Sequence, residues 1–469
     1  MGVGGSGVSG LAKLMVDMGY EVTGSDISES QVTRNLQFHG VQVHYGHNAG
    51  LVRSAQLIIV STAIPEDNVE IQAAREMGVP VLNRIKFLSY LMQHKYGITV
   101  SGSHGKSSTS AMIAYIFHIA ESDPTVVIGG VINNHLGSSW LGKSRYFICE
   151  GDESNNAFLE LSTSVGVVLN IDDDHIDFHK SMTNLQNSFI KFINKRDLDG
   201  VSIVCMDDPG VREIYPKLST RLITYGIDAE DVDYRAKNIR ISNFETRFDV
   251  VHRSRGEIGS IQLRFPGRHF ALDALAALAA AEWCGIDFGK SAYALETFPG
   301  VLRRFQRLAE GNGVMVVDDY AHHPTEIAAL LKATRAGGAK RVRGVFQPHR
   351  YTRSKLLASR FPESFDYADE VILTELYGAG ETPIAGVGTR YLYRFFEERF
   401  PESRIKCIED SAELLDYLKN TMHPGDVILT IGAGDVYKIG LALAEHIDGN
   451  GGHLYDTAPF DRIYFGSDS

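Results

Sequence analysis

The sequence predicts an α/β protein in which strands of parallel sheets alternate with helices. Short β-branched or apolar runs are repeatedly followed by polar clusters and then by stretches of helical character, as along residues 314–326. Glycine-rich loops open a helix at two places, at residues 2–10 and at residues 102–105. With 469 residues the chain is too long for one core, so several domains are expected.

The composition is typical of a soluble globular enzyme and argues against other classes. Apolar residues make up 44% and charged residues 22% of the chain. The net charge of −12 argues against nucleic-acid binding. The four scattered cysteines include no CxxC pair, no segment has the roughly 18 uncharged apolar residues of a membrane span, and the N-terminus shows no signal peptide. We therefore expect a cytoplasmic enzyme without nucleic-acid or membrane partners.

The first predicted domain, residues 1–93, is a small Rossmann-like unit. Gly2, Gly4 and Gly7 match the pattern G-x-G-x-x-G, and Asp26 follows about 20 residues later, where an acceptor for a ribose hydroxyl is expected. The strand that normally precedes such a loop is missing, because the chain already begins in the loop. The same glycines could instead serve only the close packing of a helix on a strand.

The second predicted domain, residues 94–298, is a P-loop ATPase-type α/β unit organised around a triphosphate-binding loop. Its candidate residues are Gly102, Ser103, His104, Gly105, Lys106, Ser107 and Ser108. Backbone amides at a helix N-terminus would face the anion, Lys106 supplies a positive charge, and the Ser107 hydroxyl can bind Mg²⁺. The usual motif would have a glycine where this chain has Val100. The alternative interpretation is a glycine-rich turn before an ordinary helix.

Two later strands of this domain end in acidic or imidazole clusters. The run 145–149 leads to Glu150, and the run 165–169 leads towards His175. Because open α/β sheets place ligands at the carboxyl ends of their strands, Glu150 and His175 are predicted to form a divalent-metal site with Ser107. Either cluster alone could be a solvated loop.

The third predicted domain, residues 299–469, is a second Rossmann-like α/β unit. The paired histidines His322 and His323 precede a proline, and neutral imidazole there could carry a proton or form a hydrogen bond. Arg350 and Arg353 follow another strand and could face an anion; the alternative is that they are ordinary surface arginines.

These motifs, in this order, resemble those of the Mur ligase family, whose members form amide bonds with ATP. The likeness covers nearly the whole chain. It is carried by residues 2–10 with 24–26, 102–107, 150–154, 170–175, 266–269, 303–306, 318–326, 347–353 and 432–434. The resemblance implies one domain for a UDP-sugar, a central ATPase domain, and a third domain that brings the amino acid and closes over the site.

The resemblance also implies a reaction and residue roles. L-Alanine would be joined to the carboxylate of UDP-N-acetylmuramate for peptidoglycan synthesis, with ATP and Mg²⁺ or Mn²⁺, by a monomer or homodimer. The implied catalytic residues are Lys106, Arg304, Asp319 and His322. The implied ATP contacts are residues 102–108 with His269, Asp273 and Arg304. The implied substrate contacts are Gly4, Gly5, Ser6, Gly7, Val8, Ser9, Asp26, Ser61, Thr62, His323, His349, Arg350 and Arg353.

The chain departs from the family pattern at two places, and at a third it follows the alanine-adding branch rather than its sister ligases. Ser107 stands where alanine-adding members usually have threonine, and it keeps the hydroxyl. Asparagines that meet adenine are replaced near Phe270 and Asp273; Asp273 can accept a hydrogen bond from an adenine amino group but, when ionised, cannot donate one. Phe189 stands near the place where sister ligases carry a carbamylated lysine, as in the alanine-adding branch.

Three other functions stay open at this point. A recycling ligase would add a whole tripeptide to the same sugar nucleotide, although its glycine loop differs from residues 4–10 here. An NAD-dependent oxidoreductase would use the first glycine loop and Asp26, but would leave Lys106 without a role. A catalytically inactive nucleotide-binding module is disfavoured by the intact Lys106, Glu150 and His175.

Overall fold

The computed structural model describes residues 1–61, 63–133, 136–154, 156–174, 176–196 and 199–455. Within these ranges the strands form two small pairs near the N-terminus, a ten-stranded sheet in the middle and a seven-stranded sheet near the C-terminus. The predicted α/β class with three successive units is confirmed, while the exact boundaries at residues 93 and 298 stay predictions. None of the described helices is long and apolar enough to cross a membrane.

The N-terminal unit contains two parallel strand pairs, β1 with β2 and β3 with β4. Its elements are α1 (Ser6–Asp17), β1 (Thr23–Asp26), α2 (Gln31–Phe38), β2 (Gln42–Tyr45), β3 (Ile58–Val60), α3 (Val69–Glu76), β4 (Val81–Asn83) and α4 (Arg84–Met92). The first residues bridge the two pairs: the Met1 amino group donates to the Ile59 carbonyl at 2.7 Å, and the Val3 amide donates to the Ser25 carbonyl at 3.1 Å. Among the described residues, α1 is the first element of the chain.

The middle unit places three predicted ligand-bearing strands side by side. Its elements are β5 (Tyr96–Ser101), α5 (Lys106–Ile119), β6 (Thr125–Ile132), β7 (Gly137–Trp140), β8 (Tyr146–Glu150), β9 (Val165–Val168), α6 (Ile176–His179), α7 (Met182–Asn194), β10 (Val201–Cys205), α8 (Pro209–Ile214), β11 (Leu222–Gly226), β12 (Tyr234–Ser242), β13 (Glu245–His252), β14 (Gly256–Leu263), α9 (Arg268–Trp283) and α10 (Phe288–Thr297). Strand β5 lies between β8 and β9 and is parallel to both. The loops after these three strands therefore meet at one edge of the sheet.

Both faces of this sheet are covered by helices. Val167 belongs to the core that includes α5 and the alanine-rich α9, whereas its neighbour Val168 packs with Phe189 and Phe192 of α7. Successive side chains of a strand point to opposite faces, so β9 is buried on both sides. Such burial explains why the strand is a continuous apolar run rather than an alternating one.

The C-terminal unit has β20 at its centre, parallel to β16 and β17. Its elements are β15 (Gln306–Gly311), β16 (Val314–Asp319), α11 (Pro324–Ala336), β17 (Arg341–Phe346), α12 (Tyr351–Leu356), α13 (Phe361–Ser364), β18 (Glu370–Leu373), α14 (Thr389–Arg399), β19 (Ile405–Cys407), α15 (Ser411–Thr421), β20 (Asp426–Ile431), α16 (Tyr437–Gly449) and β21 (His453–Leu454). Asp319 and Phe346 both pair with Ile431, so the ends of these three strands coincide. Two of the predicted polar clusters, residues 318–326 and 347–353, lie at that edge, where β16 and β17 end.

A fully buried arginine holds this sheet together. The Arg343 guanidinium donates to Glu370 at 2.7 Å, to Asp426 at 3.3 Å and to the Thr421 hydroxyl at 2.8 Å. Arg341 reaches the same two carboxylates, but its side chain is 37% exposed. Of these two arginines, Arg343 is the one shielded from water, so losing its charge should cost more stability than losing that of Arg341.

We expect Arg343→Ala to lower the free energy of unfolding by about 3–5 kcal/mol, because two buried carboxylates lose their principal partner. Chemical denaturation measures this loss. Arg341→Ala is the matched control and should cost about 1 kcal/mol or less, because solvent screens its ion pairs. Equal losses for the two variants would contradict this account.

Candidate active site

The predicted phosphate loop connects β5 to α5 and depends on two glycines. Gly102 has φ 139° and Gly105 has φ 85°, a region that side chains other than glycine rarely adopt. A Cβ on Gly105 would also lie only 2.8 Å from the Asp273 carboxylate. Val100 lies inside β5, so the loop begins later than in the usual motif. The loop leads directly into the N-terminus of a 14-residue helix, which favours bound anions.

The Lys106 ammonium points into this loop. Its Nζ donates to the Gly102 carbonyl at 2.6 Å and the Ser103 carbonyl at 3.2 Å, and it lies 3.1 and 3.0 Å from the two carboxylate oxygens of Glu153. The Glu153 side chain is fully buried. Burial alone would lower the pKa of Lys106, but the charge of Glu153 raises it above its ordinary value. Glu153 was missed in the sequence, although it belongs to the acidic cluster after β8.

Two of the three predicted metal ligands lie together. The Ser107 hydroxyl donates to the Glu150 carboxylate at 3.2 Å. Glu150 also accepts from the Ser110 hydroxyl at 3.1 Å and from the Gly129 amide at 2.7 Å. A hydroxyl and a carboxylate that converge beside a phosphate loop are the hard oxygen donors that suit Mg²⁺. The third predicted ligand, His175, lies outside the described residues.

A cavity of about 470 Å³ adjoins the phosphate loop. Its lining includes most of the predicted nucleotide contacts, namely His104, Gly105, Ser108, His269, Asp273 and Arg304, together with Asp319. Tyr225, Asp208 and Asn170 also line it but were not among the predicted contacts. Its volume is within the usual range for small-molecule pockets. Asp273 is 8% exposed, and burial raises its pKa to about 7.

Arg304 reaches the cavity from a turn with unusual backbone geometry. Its neighbours Arg303 and Phe305 have φ values of 61° and 43°. The Arg303 guanidinium holds the turn by donating to the carbonyls of Gly432 at 2.6 Å and Gly434 at 3.0 Å. Side chains with branched or bulky groups rarely adopt positive φ, so the surrounding bonds must fix this conformation. Sequence reasoning identified Arg304 but not the anchoring role of Arg303.

Asp319 lies beside this turn with both carboxylate oxygens engaged. One oxygen accepts from the Phe305 amide at 2.7 Å, and the other accepts from the Ala321 amide at 2.8 Å. Burial raises the pKa of Asp319 to about 6. The Asp319 side chain therefore fixes the backbone at Phe305 and at Ala321 in addition to lining the cavity.

Burial lowers the pKa of His322 and His349, two histidines of the C-terminal unit, so that both rings are neutral near pH 7. Burial lowers the pKa of His322 to about 4, and its Nδ1 lies 3.0 Å from the Tyr320 carbonyl. A neutral ring that donates from Nδ1 has Nε2 as its hydrogen-bond acceptor. The ring of His349 lies 5.8 Å from that of His322, and burial lowers its pKa to about 3.

His104 behaves differently because it lies between two carboxylates. Its Nε2 is 2.8 Å from Asp172 and its Nδ1 is 3.2 Å from Glu326. Burial alone would lower the pKa of His104, but these hydrogen bonds raise it to about 10. Donor atoms of His104, Asp172 and His323 lie within 4.8 Å of one another, a spacing that would also suit a metal ion. Since both ring nitrogens of His104 already have carboxylate partners, the group is better described as an ion-pair network.

The predicted anion-binding arginines are paired with carboxylates in this structure. Arg350 donates to Glu381 at 2.7 Å, and Arg353 lies 3.6 Å from Asp174. Arg353 also lies 3.3 Å from Nδ1 of His349. The two arginines therefore lie near the histidines, but neither lines the cavity beside the phosphate loop.

The predicted UDP-sugar residues gather at a separate place in the N-terminal unit. The Gly4 amide donates to the Asp26 carboxylate at 2.8 Å, and the Ser61 amide donates to the Met1 carbonyl at 3.2 Å. A Cβ on Gly7 would lie 2.8 Å from the Arg84 guanidinium. Arg84, which sequence reasoning did not identify, therefore covers the start of α1. None of the predicted residues here lines the described cavity, and Thr62 lies outside the described residues.

Three family models match successive parts of the chain. The models are those of the Mur ligase family catalytic domain over residues 1–96, the Mur ligase middle domain over residues 100–281, and the Mur ligase glutamate ligase domain over residues 303–434. Together they cover most of the chain.

Curated relatives are similar over nearly the full length. The UDP-N-acetylmuramate–L-alanine ligase of Pelotomaculum thermopropionicum is 41% identical, with 96% of this chain and 97% of that protein covered. The enzyme of the same name from Geotalea daltonii is 40% identical, with 95% and 97% covered. Among solved structures, the UDP-N-acetylmuramate-alanine ligase of Thermotoga maritima has a TM-score of 0.81 at 27% identity, with 96% of this chain and 98% of that chain covered.

A second solved structure supports the fold only. The murein peptide ligase of Psychrobacter arcticus has a TM-score of 0.70 at 23% identity, with 94% of this chain and 97% of that chain covered.

The raised pKa of Asp273 predicts a pH-dependent stability. The pKa of about 7 in the folded protein exceeds the ordinary value of 3.8. The contribution of Asp273 to the free energy of unfolding is therefore complete below pH 3.8 and is lost as the pH rises through about 7. Asp273→Asn removes this titration. We expect the unfolding free energy of Asp273→Asn, relative to that of the wild type, to rise by about 2 kcal/mol between about pH 5 and about pH 8.

Urea denaturation at the two pH values measures this difference. Asp416→Asn, an exposed position on α15, is the control and should differ from the wild type equally at both pH values. An advantage of Asp273→Asn that does not change with pH would contradict the prediction.

Proposed function

This chain belongs to the Mur ligase family, and we propose that it is the ATP-dependent ligase that joins L-alanine to UDP-N-acetylmuramate in peptidoglycan synthesis. The observation that carries the proposal is the position of the Lys106 ammonium in a phosphate loop, beside a cavity that is also lined by Arg304 of the C-terminal unit. The names of relatives at 38–41% identity support the choice of substrates.

The first chemical step activates a carboxylate. A carboxylate is a poor electrophile, and transfer of the γ-phosphoryl group of ATP converts it into an acyl phosphate with a good leaving group. Phosphoryl transfer requires alignment and neutralisation of charge, which Lys106 and Arg304 would provide. Ser107 and Glu150 would hold Mg²⁺, which when bound supplies further positive charge at the phosphates.

The second step forms the amide. The L-alanine amine attacks the acyl carbon, loses a proton, and phosphate leaves. The two candidate proton acceptors are His322, whose neutral ring leaves Nε2 as an acceptor, and Asp319, whose two oxygens each accept one backbone amide and keep a second lone pair. Because ATP is consumed and the four cysteines are free thiols, we place this reaction in the cytoplasm.

The competing functions have less support. Addition of a tripeptide to the same sugar nucleotide uses similar chemistry, but two solved structures with names of that type are only 23% and 24% identical to this chain. An NAD-dependent oxidoreductase would need neither Lys106 nor the carboxylates around it. The ligase accounts for all of these groups.

Phosphate release provides the direct test. With UDP-N-acetylmuramate and ATP, we expect rapid release on adding L-alanine and slower release with glycine or L-serine, because loss of a methyl group or gain of a hydroxyl changes pocket contacts by about 1–3 kcal/mol. Release that depends on a tripeptide rather than on L-alanine would favour the recycling ligase. Absence of release with every acceptor would reject the ligase.

Lys106→Met should lower kcat by about 100-fold or more, because a preorganised positive charge at the phosphates is removed. The fold should persist, which circular dichroism can check. Lys290→Met, at an exposed position on α10, is the charge-matched control and should retain activity. Substantial activity in the Lys106→Met variant would show that the phosphate loop does not bind the reacting nucleotide.

A further inference from the structure

Glu326 fixes the backbone beside His322. It is the third residue of α11, and together with His323 it forms a capping box at the start of that helix. One carboxylate oxygen accepts hydrogen bonds from the amides of His322 at 3.0 Å and His323 at 3.2 Å. These bonds satisfy donors that the helix start would otherwise leave free. The same carboxylate thus fixes the position of the His322 backbone, from which the imidazole extends.

The other oxygen of Glu326 reaches the middle unit. It lies 3.2 Å from Nδ1 of His104, which is 222 residues away in the sequence. His104 is itself fixed, because its amide and carbonyl bond to the Asn170 side chain at 2.8 and 3.0 Å. Its Nε2 is held by Asp172 at 2.8 Å. The phosphate loop and the start of α11 therefore share one imidazole.

Asp172 adds a second bond between the same two units. The oxygen that binds His104 also accepts the hydroxyl of Thr325 at 2.7 Å. The side chains of His104 and Glu326 are only 13% and 14% exposed. A charged hydrogen bond shielded from water is strong, and losing one partner is costly because the other charge stays buried.

The charges support this arrangement. Burial alone would raise the pKa of Glu326, yet the hydrogen bond with the charged ring of His104 holds it well below its ordinary value. Burial would likewise raise the pKa of Asp172, which the bonds from His104 and Thr325 lower. Two carboxylates from different units thus share one imidazolium.

We propose that Glu326 is a positioning residue that couples the phosphate loop to His322 through His104. The contact with His104 aligns the start of α11, and with it the candidate proton acceptor His322, only when the phosphate loop has the conformation seen here. This inference rests on the proposed ligase function. It predicts that a change in the phosphate loop alters the use of the amino acid as well as the use of ATP.

A double-mutant cycle tests the coupling, with Glu326→Gln, His104→Gln and the double variant. Glutamine at position 326 keeps a carbonyl oxygen for the two amides of the helix start but removes the charge that holds His104. At saturating ATP, we expect each single variant to lower kcat/KM for L-alanine by about tenfold. The double variant should have about the same kcat/KM as the less active of the two single variants, so that the two losses do not multiply.

The outcomes separate coupling from a merely structural role. Equal losses in stability without a change in kcat/KM for L-alanine would overturn the proposal, as would losses that multiply in the double variant. Lys332→Gln, an exposed charge on the same helix, is the control and should stay within about twofold of the wild type. If the wild type itself releases no phosphate with L-alanine, the proposed ligase function fails, whereas an active wild type without coupling rejects only this inference.

Discussion

The ammonium of Lys106, whose side chain is only 18% exposed, imposes the main constraint on the middle unit. A charge removed from water is tolerated only when acceptors surround it, and here two loop carbonyls and the Glu153 carboxylate do so. Glu153 can reach Lys106 because β8 lies directly beside β5. The position of β8 beside β5, the two glycines of the loop and the start of α5 together place this group close to the end of β5.

The cavity beside this charge is built from two units. The phosphate loop, His269 and Asp273 come from the middle unit, whereas Arg304, Asp319 and Glu326 come from sequence beyond α10. The ion pairs of residues 172–174 with the C-terminal unit cross the same boundary, for example between Asp173 and Arg360. Nucleotide binding and amino-acid binding can therefore influence each other through direct contacts, without a conformational signal over a long distance.

Local sequence features predicted the groups that follow strands. Lys106, Ser107 and Glu150 were identified because a parallel sheet places the ends of its strands together, and this requires only the strand pattern and the polar residue after it. The bond between His104 and Glu326 could not be predicted, because it joins residues far apart in sequence and depends on how two units meet. Arg303 and Arg304 show the same difference: the sequence shows two adjacent arginines, but only the hydrogen bonds of Arg303 to the carbonyls of Gly432 and Gly434 reveal which one is the anchor.

The strained turn also marks the place where the chain passes from the middle sheet to the C-terminal sheet. Up to Leu302 the backbone is tied to the middle sheet, since the Leu302 amide donates to the Val131 carbonyl at 2.9 Å. The Arg303 side chain is tied to the C-terminal unit through the carbonyls of Gly432 and Gly434. The Arg304 amide donates to the Val301 carbonyl at 3.1 Å and so spans this crossing. One short segment therefore both joins the two sheets and supplies a cationic side chain to the cavity wall.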